Sequence, residues 1–153
     1  SDFDAVCTGG SVANAAAFTK PYVVAAFYND DAKSDYWTDM SVGYGKSYYA
    51  DSDSVAKVNV VACLPVKTAT QTKAKTCDFK GDNGGTVPID YYSADYDMTY
   101  YEAKTGKKIK DGGAISGPAT SCPFVASYSK DDPKIIANPD KNTVEAALDA
   151  FAK

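Results

Sequence analysis

The sequence predicts a mainly β protein: an antiparallel, β-sandwich-like domain with a C-terminal α-helix and two disulfides. Three observations support this fold class. Short runs of β-branched and aromatic residues alternate with polar residues along much of the chain. Of the 20 acidic residues, all but Glu102 and Glu145 are Asp, a residue that favours turns over helices. The four cysteines form an even set in a chain without His.

The chain of 153 residues is long enough for one domain with a buried core. We therefore predict a single domain over residues 1–153, in which residues 1–20 form an N-terminal arm that is irregular or a short helix. The apolar run at 21–28 predicts a buried strand. The polar stretch at 29–54 predicts a long loop with one strand, and loops of this length in compact domains usually have a function.

The clearest strand signal lies at 55–64, where Val58, Val60 and Ala62 on one face alternate with Asn59, Val61 and Cys63 on the other. Residues 72–79 are predicted to pair back onto this strand as a hairpin. Further along, three other elements are predicted: a strand at 96–103, a Lys-rich edge strand after a turn at Thr105 and Gly106, and a strand at 122–129.

One helix is predicted, at residues 142–152. Asn142 is the expected N-cap, and Glu145 follows three residues later, as in a capping box. Four apolar residues recur at helical spacing and predict one stripe that packs on the sheet: Val144, Ala147, Leu148 and Phe151.

The four cysteines predict two disulfides and an oxidising compartment. Of the three pairings that four cysteines allow, we favour Cys63–Cys77, which would staple the hairpin, together with Cys7–Cys122, which would tie the arm to the body. A zinc site of four thiolates is the alternative, but the chain has no Cys-x-x-Cys pair.

Missing residue types exclude several functions. Without His, the chain cannot carry out Ser-His-Asp or Cys-His catalysis. All 16 basic residues are Lys and the net charge is −4, which argues against a nucleic-acid partner. No apolar run is long enough for a transmembrane segment. The chain starts at Ser1 without a signal-like segment, as a mature secreted protein or a chain trimmed at its N-terminus would.

Residues 55–123 contain four landmarks in order: "VAKVNVVACL", "TCDF", "TYYEAKTGKKI" and "GPATSCP". This order resembles a β domain of unknown function found in secreted and cell-surface proteins of bacteria. The resemblance implies an extracytoplasmic location, secreted or on the cell surface, and it supplies no catalytic residue.

Acidic loops make calcium the one candidate cofactor, because Asp and Asn oxygens in Gly-rich loops are calcium ligands. The best of these loops is "DFKGDNGG", with Asp78, Asp82 and Asn83 as candidate ligands. It lacks the full spacing of a calcium-binding loop and also fits an Asp-Asn-Gly-Gly turn. No catalytic residue is predicted, and a hydrolase that uses paired Asp residues ranks third among the functions.

Tyrosine is the strongest functional signal, with 12 Tyr against 6 Phe. Tyrosine joins a large apolar ring to a polar hydroxyl, so it suits binding surfaces. The alternative is that these tyrosines are ordinary strand residues. We predict a non-catalytic role in extracellular assembly or attachment, with other copies of the chain or another extracellular protein as partner. A glycan-binding module centred on Tyr36 and Trp37, with or without calcium, is the second hypothesis. The predicted binding residues are Tyr36, Trp37, Tyr48, Tyr49, Tyr91, Tyr92, Tyr100 and Tyr101.

Overall fold

The computed structural model describes residues 2–153, so Ser1, the first residue of the predicted arm, lies outside the described residues. Within the described range, two short 3-10 helices, Asp2–Thr8 and Val55–Lys57, precede the first and third strands. The other elements in this range are β1 Val24–Asn29, β2 Thr38–Met40, β3 Val60–Lys80, β4 Thr86–Glu102, β5 Lys108–Gly117, β6 Lys134–Ile136 and α1 Lys141–Phe151.

The predicted fold class is confirmed, because the protein is mainly β with a C-terminal α-helix and two disulfides. The strands form one mixed sheet in the order β2-β1-β3-β4-β5, and β6 pairs with β4 beyond the end of β5. Two pairings are parallel, β1 with β3 and β4 with β6. The long segment between β1 and β3 allows the first of these, since parallel neighbours need a crossover of about a dozen residues or more.

The predicted hairpin between 55–64 and 72–79 is wrong. A single long strand, β3, runs through both segments, and both pair with β4. Residues 66–71 contain no Gly, Pro, Asn or Asp, the residues on which tight chain reversals depend. The extra residues form a bulge instead, where the register shifts between Lys67 and Thr72.

All four cysteines are in disulfides, but the favoured pairing is wrong. The bonds are Cys7–Cys63 and Cys77–Cys122. Cys63 and Cys77 lie on the same strand, and at about 3.3 Å per residue an extended strand holds them tens of ångströms apart. Cys7, in the N-terminal 3-10 helix, therefore bonds to the body of the sheet, and Cys122 bonds to the far part of β3.

Both faces of the sheet are buried around the first residues of β3. The predicted alternation is confirmed from Val60 onward, because Val60 and Ala62 face one core cluster while Val61 and Cys63 face another. It is wrong for Val58, which packs in the second of these clusters, and the predicted strand is wrong for Val55–Lys57, which form a 3-10 helix before β3 begins at Val60. The first cluster, which we call the main core, also contains buried side chains from β4 and α1: Tyr96, Met98, Tyr100, Val144 and Leu148. The second cluster packs against the N-terminal segment through Val6, Ala15 and Phe27.

The C-terminal helix forms as predicted, but its N-cap is Asp140 and not Asn142. The Asp140 side chain accepts a hydrogen bond from the Thr143 backbone N–H at 3.0 Å, which satisfies one of the free donors of the first turn. This bond and a second one from the Thr143 hydroxyl lower the pKa of Asp140. Among residues 2–153, no helix is both long and apolar enough to cross a bilayer.

The predicted strand at 122–129 is also wrong. This segment is irregular, and the strand that follows β5 is the short β6 at Lys134–Ile136. Pro123 fixes its own φ and has no backbone N–H, so it does not suit a paired strand. Phe124 and Val125 lie in this irregular segment and are 104% and 83% exposed.

Candidate functional site

Three of the aromatic residues predicted to form binding faces lie in the interior. Tyr48, Tyr91 and Tyr100 are 3%, 9% and 1% exposed, so the prediction is wrong for them. The Tyr48 hydroxyl donates a hydrogen bond to Asp149 Oδ1 at 2.9 Å. Burial raises the pKa of Tyr48, and it raises that of Tyr100 to about 12. These tyrosines are core residues because the sheet is covered on the faces where they lie.

The other predicted aromatic residues are dispersed. Tyr36 is 76% exposed, whereas Trp37 and Tyr101 are partly buried against the second core cluster. Tyr49 lies beside β1, and Tyr92 lies on the far part of β4. Among residues 2–153 these side chains therefore do not form one continuous aromatic surface.

The candidate calcium ligands lie at and beside a hairpin tip. The Gly84 N–H donates to Gly81 O at 3.0 Å, and the Gly81 N–H donates to Gly85 O at 2.7 Å. Gly84 has a φ of +81°, so Asp82, Asn83 and Gly84 form a three-residue loop of the kind that joins β-strands. Asp78 precedes this loop, within β3. Among residues 2–153, no group of three or more acidic, Cys or His side chains is positioned to hold a metal ion, and calcium stays a prediction.

A different candidate site lies on the part of β3 and β4 that extends past β1. We call residues 66–80 and 86–96 the distal ribbon. β1 pairs with β3 only as far as Pro65, so the ribbon continues beyond the rest of the sheet on that side. A small cluster packs on one face of its far end: Cys77, Ile89, Tyr91, Ile135 and Ala137.

The segment between β5 and β6 crosses this face of the ribbon. We call residues 118–133 the crossing loop. Lys75 Nζ donates a hydrogen bond to Thr120 O, and Cys122 forms the disulfide with Cys77, so the loop is held against β3. Phe124 and Val125 follow Cys122 and Pro123, and their large apolar side chains are exposed. The disulfide therefore fixes an exposed apolar apex beside the outer strand of the ribbon.

The outer edge of β3 is unpaired in the ribbon, because among the described residues β3 pairs only with β1 and β4. Bulges interrupt β3 between Lys67 and Thr72 and between Lys73 and Lys75, and pairing is regular from Lys75 to Lys80. Hydrogen-bonded and non-hydrogen-bonded pairs alternate in antiparallel strands. Counting from the Gly81–Gly85 bond, three residues direct their backbone N–H and C=O groups outward: Thr76, Asp78 and Lys80.

A second feature of the ribbon agrees with this assignment. Pro88 is the partner of Asp78, and it has no N–H to donate to β3. A proline fits this place because the pair is a non-hydrogen-bonded one. The outward direction of the Asp78 backbone therefore follows from two independent positions in the hairpin.

A shallow depression of about 420 Å³ lies beside this edge. It is lined by the last residues of β3 and by the start of the apex: Asp78, Phe79, Lys80, Cys122, Pro123 and Phe124. Phe79 points to the same face as Cys77, because both pack with the distal cluster. The site thus offers backbone donors and acceptors on one side and apolar surface on the other. This combination suits an extended peptide.

Sequence reasoning missed this site because residues 122–129 were assigned to a strand. One signal was available in the sequence: Pro123 stands directly after Cys122. Comparison of the chain with protein-family models, with curated proteins and with solved structures gave no match in any of the three.

Proposed function

We propose that this protein is a non-catalytic extracytoplasmic assembly domain that binds a second copy of itself through the outer edge of the distal ribbon. The proposal rests on one observation, that three features of the surface lie next to one another. A regular unpaired strand, Lys75–Lys80, lies beside an apolar depression and beside the exposed apex of Phe124 and Val125. Strand addition uses such sites, because backbone hydrogen bonds give affinity and side-chain pockets give specificity.

A second copy is the partner that fits this surface best. The surface contains the exposed side chain of Phe124, which protrudes, and a depression lined by Phe79. In a two-fold symmetric dimer the same patch is used by both copies, so the protrusion of one copy faces the depression of the other. The antiparallel pairing of two edges around such an axis joins the outward groups of Asp78 and its neighbours to the same groups of the partner.

Two disulfides support an extracytoplasmic location, because disulfides persist in oxidising compartments. The resemblance of residues 55–123 to a bacterial secreted or surface domain points the same way. The proposed surface differs from the tyrosine-rich faces predicted from the sequence, since Tyr48, Tyr91 and Tyr100 are buried.

A matched pair of variants tests the strand edge. Asp78→Pro removes an outward N–H and places a ring on the edge, whereas Asp78→Ala keeps the N–H and loses the same carboxylate. Because the Asp78 N–H does not bond to β4, neither change removes a hydrogen bond of the ribbon. We expect light scattering to show a concentration-dependent dimer for the wild type and for Asp78→Ala. We expect association to be about tenfold weaker or more for Asp78→Pro.

Phe124→Ser tests the apex in the same assay, and it removes an exposed side chain without opening the core. It too should weaken association. A wild-type protein that stays monomeric at every concentration would overturn the proposal, and so would equal association of the two Asp78 variants. Adding a calcium chelator to the wild type tests the predicted ligands Asp78, Asp82 and Asn83. The dimer should persist, because backbone pairing needs no ion; dissociation would mean that calcium holds the contact and that Asp78→Ala is not a neutral control.

A further inference from the structure

We infer that a second pocket, beside Trp37, binds a single neutral sugar ring. This pocket lies where β1 ends, next to Asn29 and Pro65, while the assembly surface lies at the far end of β3. Its volume is about 310 Å³. That is at the lower limit for ligand pockets and suits one ring better than a chain of rings.

The lining of the pocket is divided by polarity. Trp37 and Pro65 supply apolar surface, and Trp37 is held in place because it packs against the second core cluster. The polar residues of the lining are Thr8, Asn29, Ser34 and Asp35. A pyranose has one face of C–H groups and a rim of hydroxyls. It therefore matches an aromatic surface bordered by hydrogen-bonding groups.

The polar wall of the pocket is pre-formed. Asn29 is 7% exposed, and its side chain donates to Ser34 O at 2.7 Å and accepts from the Asp31 N–H at 2.9 Å. These two bonds fix the loop that carries Ser34 and Asp35. The opposite wall contains Cys7, which the disulfide to Cys63 anchors to β3. A ligand therefore does not have to order the loop when it binds, which favours affinity.

Asp35 determines the chemical class of the ligand. Its carboxylate has no ion pair or hydrogen bond to any residue in the range 2–153, so both oxygens can accept hydrogen bonds from a ligand. The segment around it is acidic, with Asp30, Asp31 and Asp39 nearby in sequence against one Lys33. Sugars that carry a carboxylate or a phosphate are therefore disfavoured, and neutral hexoses and N-acetylhexosamines are the expected ligands.

The single tryptophan of the chain makes a direct test available, because Trp37 is the only source of tryptophan fluorescence and it lines the pocket. We would titrate the wild-type protein with glucose, galactose and N-acetylglucosamine, and with glucuronate as the anionic counterpart. We expect a saturable change in emission with at least one neutral sugar, with half-saturation in the millimolar range or below. Glucuronate should produce a much smaller change or none.

Asp35→Asn and Asp39→Asn form a matched pair for the same titration. Both remove one negative charge and leave Trp37 in place, but Asp39 does not line the pocket. Asp35→Asn should weaken binding roughly tenfold or more, because hydrogen bonds to a charged acceptor are lost. Asp39→Asn should bind like the wild type. The inference is overturned if no neutral sugar gives saturation, or if the two variants bind equally. Neither result bears on dimer formation, which light scattering measures separately.

Discussion

Removal of each disulfide in turn tests whether the distal ribbon unfolds independently of the rest of the sheet. The variants are Cys7→Ala with Cys63→Ala, and Cys77→Ala with Cys122→Ala, which leave no free thiol. The bonds span sequence separations of 56 and 45 residues. The chain-entropy model gives about 4 kcal/mol for each, so loop length alone predicts two equal losses of stability.

The packing predicts unequal losses. Cys63 lies in the second core cluster, and its loss affects the whole sheet. Cys77 belongs to the distal cluster, whose two buried isoleucines, Ile89 and Ile135, contribute roughly 3–6 kcal/mol. Ordering a residue of the crossing loop costs about 1–2 kcal/mol in conformational entropy, so ordering only about four of them offsets that amount. Without the Cys77–Cys122 bond the crossing loop should therefore detach locally while the rest of the sheet stays folded.

Urea unfolding and amide hydrogen exchange measure the two effects. The Cys7/Cys63 variant should lose about 4 kcal/mol of global unfolding free energy. The Cys77/Cys122 variant should lose less than about 1 kcal/mol globally, but exchange should become much faster in the crossing loop, residues 118–133. It should also lose dimer formation, because Phe124 is no longer held beside β3. Equal urea shifts for the two variants would refute the reasoning and show that ribbon and sheet unfold as one unit.

Three further predictions concern the core and the helix. Tyr96→Phe should lower the free energy of unfolding, measured in urea, by about 1–3 kcal/mol, because Ala137 O loses a buried 2.7 Å hydrogen bond. Tyr100→Phe should lower it by less, and equal losses for the two variants would contradict this prediction. Burial raises the pKa of both tyrosines above the ordinary tyrosine value of 10.0, to about 12 for Tyr100. Stability should therefore be complete below pH 10 and fall as the pH rises from there through the folded pKa; a flat alkaline limb of stability against pH would be evidence against it. Asp140→Ala should lower the melting temperature by an amount equivalent to about 1 kcal/mol of unfolding free energy, whereas Asn142→Ala should leave it unchanged. A lower melting temperature for Asn142→Ala alone would mean that Asn142 is the N-cap.

The sequence predicted those elements that depend on local pattern. The stripe of Val144 and Leu148 identified the helix, and the alternation of Val60 to Cys63 identified a strand with two faces. The turn after β4 was predicted from its glycine, Gly106, which has a φ of +73°. In each case the information lies within about a dozen residues, and the physical preference of those residues agrees with the final fold.

The errors arose where distant parts of the chain decide the outcome. The tyrosines at 48, 91 and 100 have the same local pattern as surface tyrosines, and only the helix, β6 and the crossing loop make them interior residues. The disulfide pairing failed because β3 was divided into two strands, and that division placed Cys63 and Cys77 opposite each other. The candidate assembly surface combines the end of β3 with a loop some forty residues later in the chain, so no window of sequence contains it.

The contrast along β3 supports a functional explanation for its open end. Exposed strand edges attract other chains, and proteins usually protect them with bulges, charges or a covering loop. β3 contains two bulges between Lys67 and Lys75, which interrupt its outer edge, and none from Lys75 to Lys80. The same chain thus applies a protective device to one half of an edge and omits it from the half that lies beside Phe124. Because the crossing loop covers a face of the ribbon and leaves this edge open, folding alone does not require the edge to be regular. Pairing with a partner strand does require a regular edge, since each outward N–H and C=O must meet its counterpart in register.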